Sequence, residues 1–223
     1  MSINIAIDGP AGAGKSTIAK KLAAKLGFVY VDTGAMYRAM AYHFLQKNIK
    51  PEEEEKISLE CKNVNITITY ENGEQQVILN DTNVTPFIRK EEVGNMASAT
   101  SIYPKVREKL VELQKELAKT TNVIMDGRDI GTCVLPDAQV KIYLTASVEA
   151  RSKRRYDELC KKGISCDIEE IKKDITERDY RDMHREMSPL KQAGDAVLVD
   201  SSELNIEEVV AVIEKIYKEK CSL

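Results

Sequence analysis

Eight residues near the start of the chain, Gly9-Pro10-Ala11-Gly12-Ala13-Gly14-Lys15-Ser16, fit the pattern G-x-x-x-x-G-K-[ST], and Thr17 follows. Such a loop needs a buried strand before it and a helix after it. Ile3 to Ile7 is a short apolar run that reads as the strand. From Ser16 onward, Ile18, Ala19, Leu22, Ala23 and Leu26 recur at helical spacing and stop at Gly27, a residue suited to ending a helix. The glycines let the backbone turn so that several N–H groups point inward at phosphate oxygens, and the following helix adds its positive end. Residues 9–17 are therefore expected to hold the phosphates of a nucleotide. Lys15 should reach the β- and γ-phosphates, and the Ser16 hydroxyl should ligate Mg²⁺. The competing reading is a glycine-rich turn that merely joins strand to helix, and the flanking pattern disfavours it.

The rest of the chain repeats the alternation. Phe28 to Val31, Val123 to Met125, Val140 to Leu144 and Ala196 to Val199 read as strands. Asp32-Thr33 can cap a helix through Tyr37 and Phe44, and further helices are expected over Val106 to Leu117, Val148 to Lys161, Ile168 to Arg185 and Ile206 to Tyr217. Strands separated by helices call for an α/β fold with a parallel sheet covered on both faces. One stretch breaks the rhythm. Val64 to Tyr70 alternates with period two, Asn72-Gly73 follows, and Gln76 to Leu79 completes a hairpin signal. Asp81 to Val84 is a candidate third strand, and the acidic run Pro51 to Lys56 reads as a solvated helix face or linker.

At 223 residues the chain suits one sizeable domain with a small appended unit. Lys+Arg 33 against Asp+Glu 36 leaves a net charge of −3, which gives no general pull towards nucleic acid or an anionic membrane. No run is apolar enough to span a bilayer, and no signal peptide is visible. Five scattered cysteines without a CxxC fit a reduced, cytoplasmic compartment better than a disulfide framework or a zinc site. A monomer is expected, since no apolar seam stands out.

Three groups of basic and acidic residues suit a second anionic substrate. Arg178, Arg181, Asp182 and Arg185 share one helical face, as do Arg151, Arg154 and Arg155. Each is equally readable as a solvated, salt-bridged surface. The cluster Arg151, Arg154 and Arg155 would suit a mobile helix closing over the moving phosphate. Asp126, Arg128 and Asp129 follow directly from a buried strand, where ligands of open parallel sheets bind. A polar turn capped by aspartate is the plainer alternative there.

Together these segments resemble the bacterial cytidylate kinases among the P-loop nucleoside monophosphate kinases. The resemblance rests on Ile7 to Thr17 (I-D-G-P-A-G-A-G-K-S-T), Asp32 to Arg38 (D-T-G-A-M-Y-R), Met96 to Ser98, Val106 to Glu108, Asp126 to Thr132 (D-G-R-D-I-G-T) and Glu177 to Arg185 (E-R-D-Y-R-D-M-H-R), and spans essentially the whole chain. The phosphate loop is generic, whereas D-T-G-A-M-Y-R with D-G-R-D-I-G-T is specific. It implies a single P-loop kinase domain over 1–223: a five-stranded parallel sheet flanked by helices, an antiparallel monophosphate-binding insert at about 61–96, and an arginine lid at about 151–166. It implies transfer of a phosphoryl group from ATP, with Mg²⁺, to CMP or dCMP. Arg38, Arg128 and Arg185 would hold the acceptor phosphate, Ser98, Arg107 and Asp129 would read cytosine, Tyr37 would line the acceptor site, and Arg178 and Asp182 would contact the sugar. Thr33 stands where some relatives carry Ser, and both supply a hydroxyl.

An acceptor phosphate is already ionised near neutral pH, so no strong general base is required. Lys15, Arg128, Arg154 and Arg185 are accordingly the expected catalytic groups, acting electrostatically. The rival readings are a kinase for another small acceptor, in which Asp32 or Asp129 would be the base of a hydroxyl acceptor, and a nucleotide switch acting on a protein partner. No N-K-x-D guanine-reading motif is present to support the latter. Lys15→Ala should remove most phosphoryl transfer from a folded protein, because its charge meets the oxygens on which transition-state charge develops. A near-normal kcat in the folded variant would remove the loop from the reaction.

Overall fold

The structure is a computed structural model and describes residues 2–71 and 74–221. In chain order the elements are β1 (Asn4–Asp8), α1 (Lys15–Leu26), β2 (Val29–Asp32), α2 (Thr33–Gln46), α3 (Glu54–Glu60), β3 (Ile66–Glu71), β4 (Glu74–Leu79), β5 (Thr82–Asn83), α4 (Glu91–Thr100), α5 (Pro104–Thr120), β6 (Val123–Gly127), β7 (Val140–Thr145), α6 (Val148–Lys161), α7 (Ile168–His184), β8 (Val197–Asp200) and α8 (Ile206–Lys220). A five-stranded parallel sheet has the order β2-β6-β1-β7-β8, and β3, β4 and β5 form a separate small sheet. The fold class read from the sequence is the one found.

The chain forms two compact units. The larger runs through Tyr30 and resumes at Asn122; the other is Val31–Thr121. In the larger unit β1 is paired on both sides, Ile5 with Ile124 of β6 and with Val140 of β7. Strands hydrogen-bonded and covered on both faces carry unbroken apolar runs, and Ile5, Ala6 and Ile7 are fully buried. One core joins Ile5, Ile7, Ile142 and Leu144 to Ile18, Ala19 and Leu22 of α1 and Val209, Val210 and Ile213 of α8. Tyr217 of α8 meets Phe28 edge-on, with ring centroids 5.8 Å apart. Both helices have clear stops and starts: Gly27 ends α1 at φ 68°, and Asn205 with Glu208 forms a capping box at the start of α8.

In Val31–Thr121 the core gathers on α2. Met36, Ala39, Met40 and Phe44 are fully buried, as is Ile57 of α3. Helix α2 packs against α4, α5 and β4. Strands β3 and β4 are antiparallel, with Ile66 opposite Leu79 and Glu71 opposite Glu74. The expected Asn72-Gly73 turn lies outside the described residues. The expected third strand is only two residues long, and the acidic run enters α3, whose Ile57 buries one side of it. The hairpin segment at about 61–96 is the middle of the Val31–Thr121 unit, where β3 and β4 pack on α2. Helix α4 went unread: its apolar positions are few and Gly94 interrupts them. No helix among the described residues is long and apolar enough to cross a membrane.

Helix α1 carries the phosphate loop, so its seating sets the loop's stability. Leu22→Ala, at a fully buried position between α1 and the sheet, should cost about 2–5 kcal/mol. A urea midpoint shift with an unchanged slope would register it.

Candidate active site

The first requirement of the loop is space. Gly9 has φ 150°, and a Cβ there would sit 1.9 Å from the Leu144 carbonyl oxygen of β7. Only glycine lets the chain leave β1 beside that strand. Gly12 and Gly14 take φ 76° and 89°, turning the loop back into α1. Lys15 is buried at the first position of α1, and its Nζ donates to the Pro10 carbonyl at 2.7 Å, lying back across the loop. Its pKa lies well below the usual 10.5, first through burial and then through the charge of Arg128, with Asp126 and Asp8 opposing. An incoming polyphosphate would supply the negative charge this ammonium lacks.

Three carboxylates stand round the loop. Asp126, at the end of β6, accepts from the Ser16 hydroxyl through Oδ2 at 2.8 Å and from the Tyr30 hydroxyl through Oδ1 at 2.9 Å. A hydroxyl and a carboxylate oxygen are the kind of sparse oxygen donor set Mg²⁺ uses alongside phosphate and water. Asp8, at the end of β1, accepts from Ile130 N at 2.8 Å and Gly131 N at 2.7 Å. Burial pushes its carboxyl up to about 6 despite those two bonds. Asp129 is buried, with Arg185 Nη2 4.0 Å from its Oδ1.

The arginines differ in burial and in partners. Arg128 Nε donates to Asp182 Oδ2 at 2.8 Å, so Asp182 pairs with Arg128, while Arg178 acts on it by charge from the same helix. Arg185 Nε donates to the Ser188 carbonyl at 2.7 Å. Arg181 faces elsewhere, lining a shallow surface cleft with Thr176, Glu177 and Tyr180. At the start of α6, Arg151 is 4% exposed. It donates to the carbonyls of Ala146 and Ala11 and pairs with Asp179 of α7 at 2.6 Å. Arg151 is thus an internal post beneath the loop. Arg154 donates to the Ser201 hydroxyl at 3.3 Å and to its carbonyl. Arg155 is exposed and pairs with Glu158.

The remaining expected residues lie in Val31–Thr121. Asp32 caps α2, accepting from Ala35 N at 2.9 Å, and faces Arg89. Thr33 is buried at the helix start, and Tyr37 and Arg38 are half-buried one turn on. Arg107 is 3% exposed, lies 5.7 Å from the Tyr37 ring centroid and donates to the Ser101 carbonyl. Ser98 is exposed on α4. Sequence reasoning missed Asp8, Tyr30 and Ser201. Asp8 stands beside the motif as its preceding residue; Tyr30 and Ser201 left no local signal, since their partners are distant in the chain.

The cytidylate kinase family profile matches residues 5–219. A cytidylate kinase of Caldicellulosiruptor saccharolyticus is 54% identical over 217 residues, covering 97% of this chain and 96% of that one. One of Streptococcus pneumoniae is 52% identical over 214 residues, covering 96% of each. A shikimate kinase structure from Bacteroides thetaiotaomicron superposes with TM-score 0.50 at 14% identity, covering 97% of this chain and 98% of that one, a likeness of fold alone.

The Arg128–Asp182 pair has a pH signature. Burial pushes the Asp182 carboxyl up, but the charge and hydrogen bond of Arg128, aided by Arg178 and Arg185, leave it below the ordinary 3.8. Its contribution to stability is therefore present above pH 3.8 and is lost as pH falls through the lower folded value. Arg128→Ala should move Asp182 upward and remove that acid-side loss. Carboxyl NMR titration of both proteins measures it, and an Asp182 midpoint unmoved by the substitution would refute the pairing.

Proposed function

The chain belongs to the cytidylate kinase family, and we propose that it works by alignment and charge, without a general base. It transfers the γ-phosphoryl group of ATP to CMP or dCMP, giving CDP or dCDP. The observation that carries the mechanism is the cationic set of Lys15, Arg128, Arg178 and Arg185 held by carboxylates round a phosphate loop. Arginine suits this role because its planar fork binds phosphate in a bidentate way and stays charged.

Lys15 and the loop of residues 9–17, through its backbone N–H groups other than at Pro10, hold the ATP phosphates. Ser16, with Asp126, would hold Mg²⁺, which would supply charge neutralisation for the phosphates. Arg38, Arg128 and Arg185 hold the acceptor phosphate, Arg178 and Asp182 meet its sugar, and Tyr37 and Thr33 line its site. The exchange follows from the pairs already described: an acceptor phosphate competes with Asp182 for Arg128. Arg154 belongs to the lid at about 151–166, of which the buried Arg151 is the fixed inner end and not a closing group, and Val31–Thr121 includes the monophosphate-binding insert. Against a hydroxyl-acceptor kinase, in which Asp32 or Asp129 would be the base, stands the family to which the chain belongs; Asp32 caps α2 and faces Arg89. Five free thiols suit a reducing cytoplasm. The protein acts there as a monomer on small molecules, without nucleic acid or membrane.

Base selection rests on Asp129, Arg107 and Ser98. Cytosine offers an N4 amino donor beside the N3 and O2 acceptors. Asp129 accepts from N4, and Arg107 donates to N3 or O2. Uracil turns a carbonyl toward the Asp129 carboxylate, a buried mismatch of about 1–3 kcal/mol, roughly tenfold to a hundredfold. A coupled ADP-release assay with CMP, dCMP, UMP, AMP and shikimate should show turnover dominated by CMP and dCMP. Asp129→Asn should lose CMP activity and narrow the gap to UMP. An unchanged CMP/UMP ratio of kcat/KM would return Asp129 to a capping role.

A further inference from the structure

Asp8 has a position that the reaction as described does not use. It is the residue before Gly9, the first of the phosphate loop, and is only 5% exposed. Its two carboxylate oxygens are divided between two consecutive amides, Oδ1 to Ile130 N at 2.8 Å and Oδ2 to Gly131 N at 2.7 Å. Those amides open the short π-helical turn Ile130–Val134, where the first N–H groups have no partner within the turn. Arg128 and Asp129 come immediately before it. Below the same turn, the Lys141 side chain runs past Gly131: a Cβ added there would meet Lys141 Cδ at 3.3 Å and Asp8 Oδ2 at 3.4 Å. Lys141 is itself fixed, with its Nζ 2.8 Å from Asp195 Oδ2. The turn is thus clamped between an anionic anchor and a buried aliphatic stem.

We infer that Asp8 is a positioning residue, which holds the Arg128–Asp129 turn in register with the phosphate loop and so aligns acceptor with donor. This rests on the reading of Arg128 and Asp129 as acceptor-binding groups. Bonds from amides to a charged acceptor are stronger than neutral ones, and two of them on adjacent residues fix both the distance and the rotation of the turn. A carboxylate alone suits the place, since it accepts with both oxygens. Asparagine would offer one acceptor and turn an N–H₂ donor toward the other amide. Displacements of about 1 Å in such alignments cost up to about a hundredfold in rate.

The test compares Asp8→Asn, Asp8→Ala and Gly131→Ala with wild type, measuring kcat and KM for ATP and CMP and the CMP/UMP ratio of kcat/KM. Expected is a fall in kcat/KM for CMP of about tenfold to a hundredfold, larger for Ala than for Asn at position 8. The CMP/UMP ratio should narrow and the KM for ATP should move less than threefold. Gly131→Ala keeps Asp8 but pushes the turn off it, and should give the same pattern in milder form; it decides the matter if neither Asp8 variant folds. A purely structural Asp8 would lower thermal stability and the active fraction while leaving both KM values and the CMP/UMP ratio as they were, and that result overturns the inference. Asp129→Asn is measured beside them. If it narrows the ratio while the Asp8 and Gly131 variants do not, the inference alone falls. If it too leaves the ratio unchanged, the acceptor reading fails and the inference fails with it.

Discussion

Strand β1 is hydrogen-bonded on both sides, and the placement of its carboxyl end governs the site in the larger unit. Pairing with β6 puts Asp8 beside Gly127, and pairing with β7 puts it beside Tyr143. Because neighbouring parallel strands end together, the phosphate loop, Asp126 and the Arg128–Asp129 turn emerge from one edge of the sheet. The close approach to β7 then dictates glycine at position 9, where the Leu144 carbonyl leaves no room for a side chain. Burial of Ile5, Ala6 and Ile7 supplies the apolar driving force that keeps these polar groups in place.

Polar groups held this way form a balanced set. Lys15, Arg128, Arg178 and Arg185 are opposed by Asp8, Asp126, Asp129 and Asp182. Balance matters because an unopposed buried charge is costly; burial and then the Arg128 charge lower the Lys15 pKa, while Asp126 and Asp8 oppose the fall. On the proposed function, a phosphate entering such a set would exchange one anionic partner for another. The arginines need not be reorganised from solvent, which is the advantage of preorganised charge in transfer chemistry.

Much of this architecture was legible in the sequence, for identifiable reasons. Strands buried on both faces leave apolar runs, and helices on a core leave 3.6-residue spacing, so α6 was bounded at Val148 and Lys161 and the core strands within a residue or two. The phosphate loop was legible because its glycines and lysine are consecutive. The two-unit division was not: α2 packs on the hairpin strands and on α4 and α5 through contacts that no local pattern records. Nor were the partners of the arginines. Arg128 pairs with Asp182, and Arg151 with Asp179, across 54 and 28 positions. Helical spacing placed Arg178 and Asp182 on one face but could not say that Asp182 would turn to a guanidinium from another element.

Arg151 illustrates why counting arginines on a helix face misjudges them. A guanidinium carries five donors in a fixed plane and can satisfy several carbonyls at once. Arg151 uses that capacity inward, bonding Ala146 on its own segment, Ala11 in the phosphate loop and Asp179 on α7. Its stem also fills the space beside Gly12, where an added Cβ would lie 3.5 Å from Arg151 Cβ. One side chain on α6 thereby ties the segment before that helix, and α7, to the loop. Arg154, a turn later, is half-buried and fixed to Ser201 after β8, and Arg155 is exposed and pairs with a neighbouring Glu158. The same residue type therefore serves as scaffold, as bridge and as surface charge within five positions. Burial and partners separate these uses, and both are set by where α6 lies against the phosphate loop.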